Sequence, residues 1–424
     1  MNARTLIRLF LYSVLIFAPL ARGGVQEWAI AAVQMLVLAA AGVFLVDAAW
    51  RWEWRWNRTS LDGPLLAMFG LALVSSLFSV YPPASWRAMG LLATYLLFYG
   101  LAAQVFDSRR RRRELVWVVF GLAAALTGIG FVKLLAPEWV PLWVYPDIWM
   151  DHSNRMSASF GNPNHFAAFL EMALLLMIAW TGACRTSGGK MAAWLFVGAG
   201  LVALVLTLSR GGWCGFAAGL VWILALRLRR KASWKTVVLG LGFGCVLLLM
   251  ILAGTPTTER AETMKAGTDN MSLGMRMAAW EGVVGMVREA PVLGFGPGTF
   301  SMVFPQYQPA GLGARFYFAH NDWLEFAAEL GIGFVILLAW LFGRLLLAGW
   351  RVSYRQSRVR KAVGIGASAA VVALWVHGVA DFSLQIPGNG FWFASMFILA
   401  VGAEGAKGCS GVGNELDDPG MLTV

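Results

Sequence analysis

Apolar residues run along this chain in blocks of about 20, the length a helix needs to cross roughly 30 Å of hydrocarbon, with short polar or basic stretches between them. Twelve such blocks are readable, near 6–21, 28–49, 63–79, 86–106, 115–135, 164–181, 191–208, 211–227, 235–253, 323–347, 362–380 and 389–404. In a bilayer every backbone N–H and C=O must be satisfied inside its own segment, so each block predicts a helix. The expected fold class is all-α, a polytopic integral membrane protein with about 12 transmembrane helices in a single domain over 1–424. One long passage breaks the pattern: residues 254–322 are polar and lie between the ninth and tenth blocks. Within it Met275, Ala279, Val283 and Met286 or Val287 recur at helical spacing, with Arg276, Trp280 and Arg288 alongside. That pattern predicts a short amphipathic helix lying on the membrane surface. It stops at Pro291, after which Gly294, Gly296, Pro297 and Gly298 turn the chain sharply. Residues 408–424 are Gly-rich and acidic and are expected to be a disordered tail.

Composition narrows the class. Hydrophobic residues make up 58% and charged residues 13% of the chain, and the mean hydropathy of +0.65 excludes an ordinary soluble domain. The formal charge of +11 does not point to nucleic acid, because the basic residues form short clusters between apolar blocks. With the N-terminus cytoplasmic, most of the 34 basic residues fall in inner loops, among them the run Arg109 to Arg113, the cluster Arg227 to Lys235 and the cluster Arg344 to Lys361. Arg210, Arg276, Arg288 and Arg315 then lie at the outer face against the rule, which makes them suspects. The same alternation puts the loops 137–163, 254–322 and 383–388 on that outer face. Tryptophans and tyrosines near the block ends read as interfacial anchors. Cys184, Cys214, Cys245 and Cys409 are too scattered for a disulfide framework or a metal set. Residues 1–24 imitate a signal peptide but lack a small-x-small cleavage site, so a retained first span is expected.

Several polar residues carry candidate chemistry. Arg210 closes TLSRGG at the start of a block, where free amides and the positive end of a helix dipole favour an anion beside the guanidinium. Pyrophosphate fits such a place; an arginine snorkelling to the interface is the plainer reading. Arg276 stands one turn from Trp280, a spacing for guanidinium stacking, a phosphate contact or a lipid headgroup. His320 precedes Asn321 and Asp322 at the start of the tenth block, and Asp322 with Glu325 has the form of an N-cap with a reciprocal partner. A histidine held there suits a general base, although a wet interfacial histidine has the same position. Glu325 and Glu329, one turn apart, can orient His320, pair with an arginine or carry protons. Asn162 and Asn164 in GNPNHFAAF cap the sixth helix or bind sugar hydroxyls. His377 and Asp381, also one turn apart, read as a structural clasp or an ion path. There is no Walker A run, HExxH, zinc-spaced His/Cys cluster or DxD motif, so a transfer reaction here is expected to be metal-independent, with arginines neutralising the leaving group.

Taken in order, GNPNHFAAF, TLSRGGW, RMAAWEGVVGMVREAPVLGFGPGTF, AHNDWLEFAAELGIG and HGVADFSLQIPGNGFWF resemble motifs of the O-antigen ligase family, a group of lipopolysaccharide O-antigen ligases, polysaccharide polymerases and protein O-oligosaccharyltransferases. The resemblance covers about Gly161 to Trp392. It implies a glycosyltransferase of the bacterial inner membrane, multi-pass, with both termini cytoplasmic and the active region periplasmic. The implied donor is a glycan on undecaprenyl pyrophosphate, with no further cofactor. The acceptor hydroxyl would belong to lipid A core, a polysaccharide or a protein, and membrane lipid would be a partner as well. Arg210 and Arg276 would grip the pyrophosphate and His320 would activate the acceptor, with inversion at the anomeric carbon. Arg288, Asn162, Asn164, Asn321, Glu325 and Asp381 are the candidate supporting residues. A secondary transporter or flippase is the alternative, suggested by twelve blocks and by Glu171, Glu325, Glu329, His377 and Asp381 in or near the bilayer.

Overall fold

The computed structural model describes residues 2–52, 56–136, 139, 155–228, 273–313 and 315–404. Among them no β-strand occurs, and fourteen α-helices follow one another: α1 (Ala3–Leu20), α2 (Glu27–Arg51), α3 (Asp62–Leu77), α4 (Pro82–Val105), α5 (Arg109–Leu135), α6 (Pro163–Trp180), α7 (Ser187–Leu206), α8 (Arg210–Leu228), α9 (Leu273–Glu289), α10 (Phe300–Val303), α11 (Asp322–Leu330), α12 (Ile332–Ser353), α13 (Arg358–His377) and α14 (Pro387–Glu404). Nine of these described helices are long and apolar enough to cross a membrane, and α3, of 16 residues, is a shorter apolar helix. The chain is a polytopic, all-helical membrane protein. The block predicted at 235–253, residues 254–272 of the long loop and the tail from 408 lie outside the described residues, as do Cys245 and Cys409.

Local sequence explains most helix starts. Asn2, Ser108, Thr186 and Ser357 each accept an orphan amide of the first turn through the side chain. Pro82 and Pro163 open α4 and α6, where a missing N–H costs nothing.

The tenth block is a correction. It is not one helix from 323 to 347 but two, broken at Gly331, whose φ of 80° and ψ of 167° lie in a region that only glycine occupies comfortably. Gly331 N donates to Ala327 O at 3.0 Å to close α11, and Ile332 N donates to Pro291 O at 2.9 Å as α12 begins. A Cβ at Gly331 would collide with Val292 O. The turn after α9 therefore sits in the notch of the broken helix.

Helices α6 and α13 form the centre. Nearly every side chain of α6 from Pro163 to Trp180 is buried, as expected of a helix that is apolar all round. Small residues let its neighbours come close. At Gly215 of α8 a Cβ would lie 2.6 Å from Ala373 O of α13 and 2.6 Å from Glu171 Oε2 of α6, so three helices share one narrow seam. Not all tryptophans are interfacial anchors. Trp392 is fully buried and donates to Leu15 O at 3.0 Å, tying α14 to α1, and Trp323 donates to Trp375 O at 3.2 Å.

Loops predicted to share a face do meet. At one end Arg4 pairs with Asp107 at 3.1 Å, Arg8 with Glu114 at 3.3 Å and Arg351 with Glu404 at 2.7 Å. At the other, Ser159 Oγ donates to Pro19 O at 2.8 Å, Val80 N to Phe295 O at 3.1 Å and Ser85 Oγ to Pro297 O at 2.9 Å. The candidate residues gather at this second end.

The amphipathic helix is present as α9, but its apolar face does not lie on a membrane surface. Ala279, Val283 and Met286 are buried against Phe300, Phe304, Phe316 and Ala328. Protein covers the stripe because α10 and α11 fold under it.

Candidate active site

Two short-range devices set the backbone around His320. Asn321, not Asp322, is the N-cap of α11: its Oδ1 accepts from Trp323 N and Leu324 N, both at 3.1 Å. With Asn321 in extended backbone, Asp322 becomes the first helical residue and turns inward. Its N–H donates to Gly378 O at 2.8 Å, and its Oδ2 accepts from Leu384 N at 3.2 Å. The preceding residue, Ala319, is held from both sides, since its N–H donates to Glu325 Oε2 at 2.7 Å and its carbonyl accepts from Trp280 Nε1 at 2.9 Å. Between these anchors His320 adopts φ 51°, a left-handed backbone that a non-glycine residue takes at some cost.

Glu325 and Glu329 thus act on the backbone. Glu329 accepts from Gly298 N and Phe300 N, each at 2.8 Å, and so fixes the glycine turn. Neither carboxylate forms an ion pair with an arginine among the described residues.

The His320 ring is buried, edge-on to Phe382 at 4.9 Å, and Phe382 also stacks on Phe318 at 4.2 Å. Its Nδ1 is 3.9 Å from Asp381 Oδ1. Arg276, in the first turns of α9, reaches across to donate to Ala380 O. Burial pushes His320 down to about 4, and the positive charge of Arg276 pushes the same way while Asp381 opposes it. For Asp381 burial favours the acid form, yet Arg276, His165, His377 and His320 together outweigh it and hold the carboxyl below its ordinary range. At neutral pH the site therefore holds a neutral imidazole, an ionised carboxylate and a guanidinium.

The remaining candidates distribute unevenly. Asn162 caps α6 by accepting from Asn164 N at 2.8 Å, and Asn164 Oδ1 accepts from Arg155 Nη2 at 2.8 Å. Arg155, which sequence reasoning passed over, also donates to Thr207 O at 2.8 Å and ties the start of α6 to the approach to α8. Arg210 opens α8, and a Cβ on the next residue, Gly211, would lie 2.7 Å from the His377 ring, so the start of α8 abuts this histidine. Ser209 Oγ already takes one of the first-turn amides there, accepting from Gly212 N at 3.3 Å. Arg288 is not brought in: it is exposed near the far end of α9, about 18 Å along the helix from Arg276.

Glu171, grouped by the sequence with His377 and Asp381 only as charges in or near the bilayer, meets them in the fold. His377 Nδ1 lies 3.2 Å from Glu171 Oε1, and its Nε2 lies 3.9 Å from Asp381 Oδ2. A charged residue in the middle of an apolar block was the only signal for Glu171. Buried polar atoms with no hydrogen-bond partner among the described residues concentrate in this region: Arg276 Nε, His320 Nδ1, Asp322 Oδ1, His377 Nε2, Ser383 Oγ and Asn389 Oδ1. Such atoms mark a place for water or a polar ligand. Among the described residues no group of three or more His, Cys, Asp or Glu side chains is arranged to hold a metal ion.

A neutral buried imidazole beside a guanidinium can take a proton from a hydroxyl while charge develops on a nearby leaving group. A family model described as O-antigen ligase matches residues 194–341, which include Arg210, Arg276 and His320 and leave Asn162, Asn164 and Asp381 outside. A comparison with curated proteins finds no match.

Proposed function

We propose that this chain, of which residues 194–341 match a family model described as O-antigen ligase, is a membrane glycosyltransferase that moves a glycan from undecaprenyl pyrophosphate to an acceptor hydroxyl at the periplasmic face of the bacterial inner membrane. The observation that carries the reading is the juxtaposition of buried His320 with Asp381 and Arg276 at the helix ends. The acceptor O–H gives its proton to Nε2 of His320, the ring nitrogen not turned to Asp381. The acceptor oxygen attacks the anomeric carbon from the side opposite the leaving group, so configuration inverts. The bond from that carbon to the pyrophosphate oxygen breaks, its electron pair stays on the pyrophosphate, and Arg210 and Arg276 stabilise that charge through guanidinium contacts. His320 then releases its proton to water. The activated sugar bond carries the energy, so no nucleotide is needed, and the two arginines take the place of a metal in neutralising the leaving group. Arg276, His320 and Asp381 gather at helix ends beside the long loop, which favours this reading over a transporter.

Transfer from undecaprenyl-pyrophosphate glycan by the purified protein in EDTA tests it, with lipid A core, free glycan and an acceptor protein offered separately. Transfer is expected with the wild type and lost with His320→Ala. Arg210→Ala and Arg276→Ala are each expected to lower kcat by about 10²- to 10³-fold, the range for one charge-stabilising partner. Unchanged transfer in Arg210→Ala of normal abundance overturns the assignment of the leaving-group site.

A further inference from the structure

The most buried ion-paired contact among the described residues is Glu171 with His377, both side chains at 0% exposure. Glu171 sits mid-way along α6, about 12 Å below the helix start. In an apolar bundle such a pair is a poor source of stability, since desolvation offsets most of the attraction and well-packed apolar side chains do as well. It is also incomplete in itself: among the described residues Glu171 Oε2 and His377 Nε2 have no hydrogen-bond partner. The free ring nitrogen looks toward Asp381 Oδ2 at 3.9 Å, and the other oxygen of Asp381 looks toward His320 Nδ1 at 3.9 Å. Asp381 Oδ1 is further fixed by Phe382 N at 2.8 Å.

We propose that Glu171 and His377 are positioning residues for His320: Glu171, anchored on the central helix, orients the His377 imidazole, which holds Asp381 opposite Nδ1 of His320. The inference rests on His320 as the proton acceptor of the proposed transfer. Four elements around His377 contribute to the arrangement. Helix α6 supplies Glu171, the turn after α13 supplies Asp381, α9 brings the charge of Arg276, and α8 sets Gly211 and Gly212 against the ring. Those glycines leave room for the ring without competing for it. A tether of this kind acts on the rate, and Glu171, about 12 Å below the start of α6, lies away from the helix ends where the pyrophosphate is held.

The test is steady-state transfer from undecaprenyl-pyrophosphate glycan by the full chain, read as kcat and donor KM separately, with folded amount and Tm recorded. Wild type, His320→Ala, Glu171→Gln and the exchange Glu171→His with His377→Glu are compared. Glu171→Gln is expected to lower kcat about 10- to 100-fold, the range for residues that orient a functional ligand, with donor KM unchanged. The exchange rebuilds the contact between α6 and α13 but sets a carboxylate against Asp381, so kcat is expected to stay low. Recovery of kcat by the exchange, or a wild-type kcat in Glu171→Gln while His320→Ala is inactive, overturns the inference. Failure of both Glu171 variants to accumulate folded protein makes the pair a clasp and overturns it too. A wild-type rate in His320→Ala would instead remove the proton-acceptor reading, and this inference with it.

Discussion

Nδ1 of His320 lies 3.9 Å from Oδ1 of Asp381, too far for a hydrogen bond and close enough for strong coupling in a buried site. Asp381 is bound to its own neighbour, Phe382 N, and His320 is held by its backbone on both sides. The pair is therefore carried on two loops that approach from different helices, α11 and α13.

Burial gives His320 a measurable pH signature. Its pKa falls from the ordinary 6.5 to about 4 in the folded protein, so between those values the unfolded chain holds the extra proton. Stability then rises with pH across the window and is lost as pH falls from about 6.5 toward 4, by roughly 3 kcal/mol at the limit. Asp381, held below its ordinary 3.8, contributes only beneath that window. Thermal unfolding of detergent-solubilised protein from pH 7.5 to 4.5 should show wild-type Tm falling relative to that of His320→Gln as pH drops, the other buried acids acting on both proteins alike. Equal slopes would mean the imidazole is not buried as a neutral group.

Gly331 should tolerate no side chain. Alanine there must adopt a backbone region that costs about 1–3 kcal/mol outside glycine, and its Cβ would meet Val292 O as well. Gly331→Ala is expected to lower Tm by several degrees and to reduce transfer, because the turn after α9 rests in the notch. Gly343, in the middle of α12, has nothing within 4 Å of a built Cβ. Gly343→Ala should leave Tm unchanged or slightly raised, as the better helix former.

How far the pattern of the chain anticipated this architecture depends on the range of each interaction. The stripe Ala279, Val283 and Met286 is a local period and predicts α9 correctly; what covers it is set by Phe300, Phe304 and Phe316, which no local period identifies. The break at Gly331 is invisible in an apolar block because glycine is common in membrane helices, and its backbone is decided by a turn some 40 residues earlier in the chain. Asn321 and Asp322 are both good caps, and only the extended backbone at Asn321 chooses between them. Arg276 and His320 stand out because they are charged or titratable in a polar loop beside apolar blocks. The Glu171 and His377 contact joins residues 206 positions apart and could not be read without the fold.

Glu329 is expected to govern the order of the glycine turn. Its two oxygens accept from Gly298 N and Phe300 N, and glutamine keeps one acceptor while presenting an NH₂ to the other donor. Glu329→Gln should cost about 1–3 kcal/mol locally, the range for a buried donor left without its partner. Amide hydrogen exchange at Gly298 and Phe300 is the measurement, and it should speed up at both with little change in the central helix α6. Unaltered exchange at both amides would show that the turn is held by Phe300 and Phe304 packing alone.

The two arginines of α9 should part company. Arg276 donates to Ala380 O and lies within the field of Asp381, His320 and His377, whereas Arg288 is exposed three turns on. A lysine cannot reproduce a planar, forked donor, so Arg276→Lys keeps the charge and loses the geometry. Its transfer rate is expected to fall at least about tenfold, closer to Arg276→Ala than to wild type, while Arg288→Ala stays within about twofold. Transfer assays on the three variants at matched abundance decide it. Full activity in Arg276→Lys would reduce the role of this residue to charge alone, and a large loss in Arg288→Ala would mean that the donor or acceptor extends along the whole exposed face of α9.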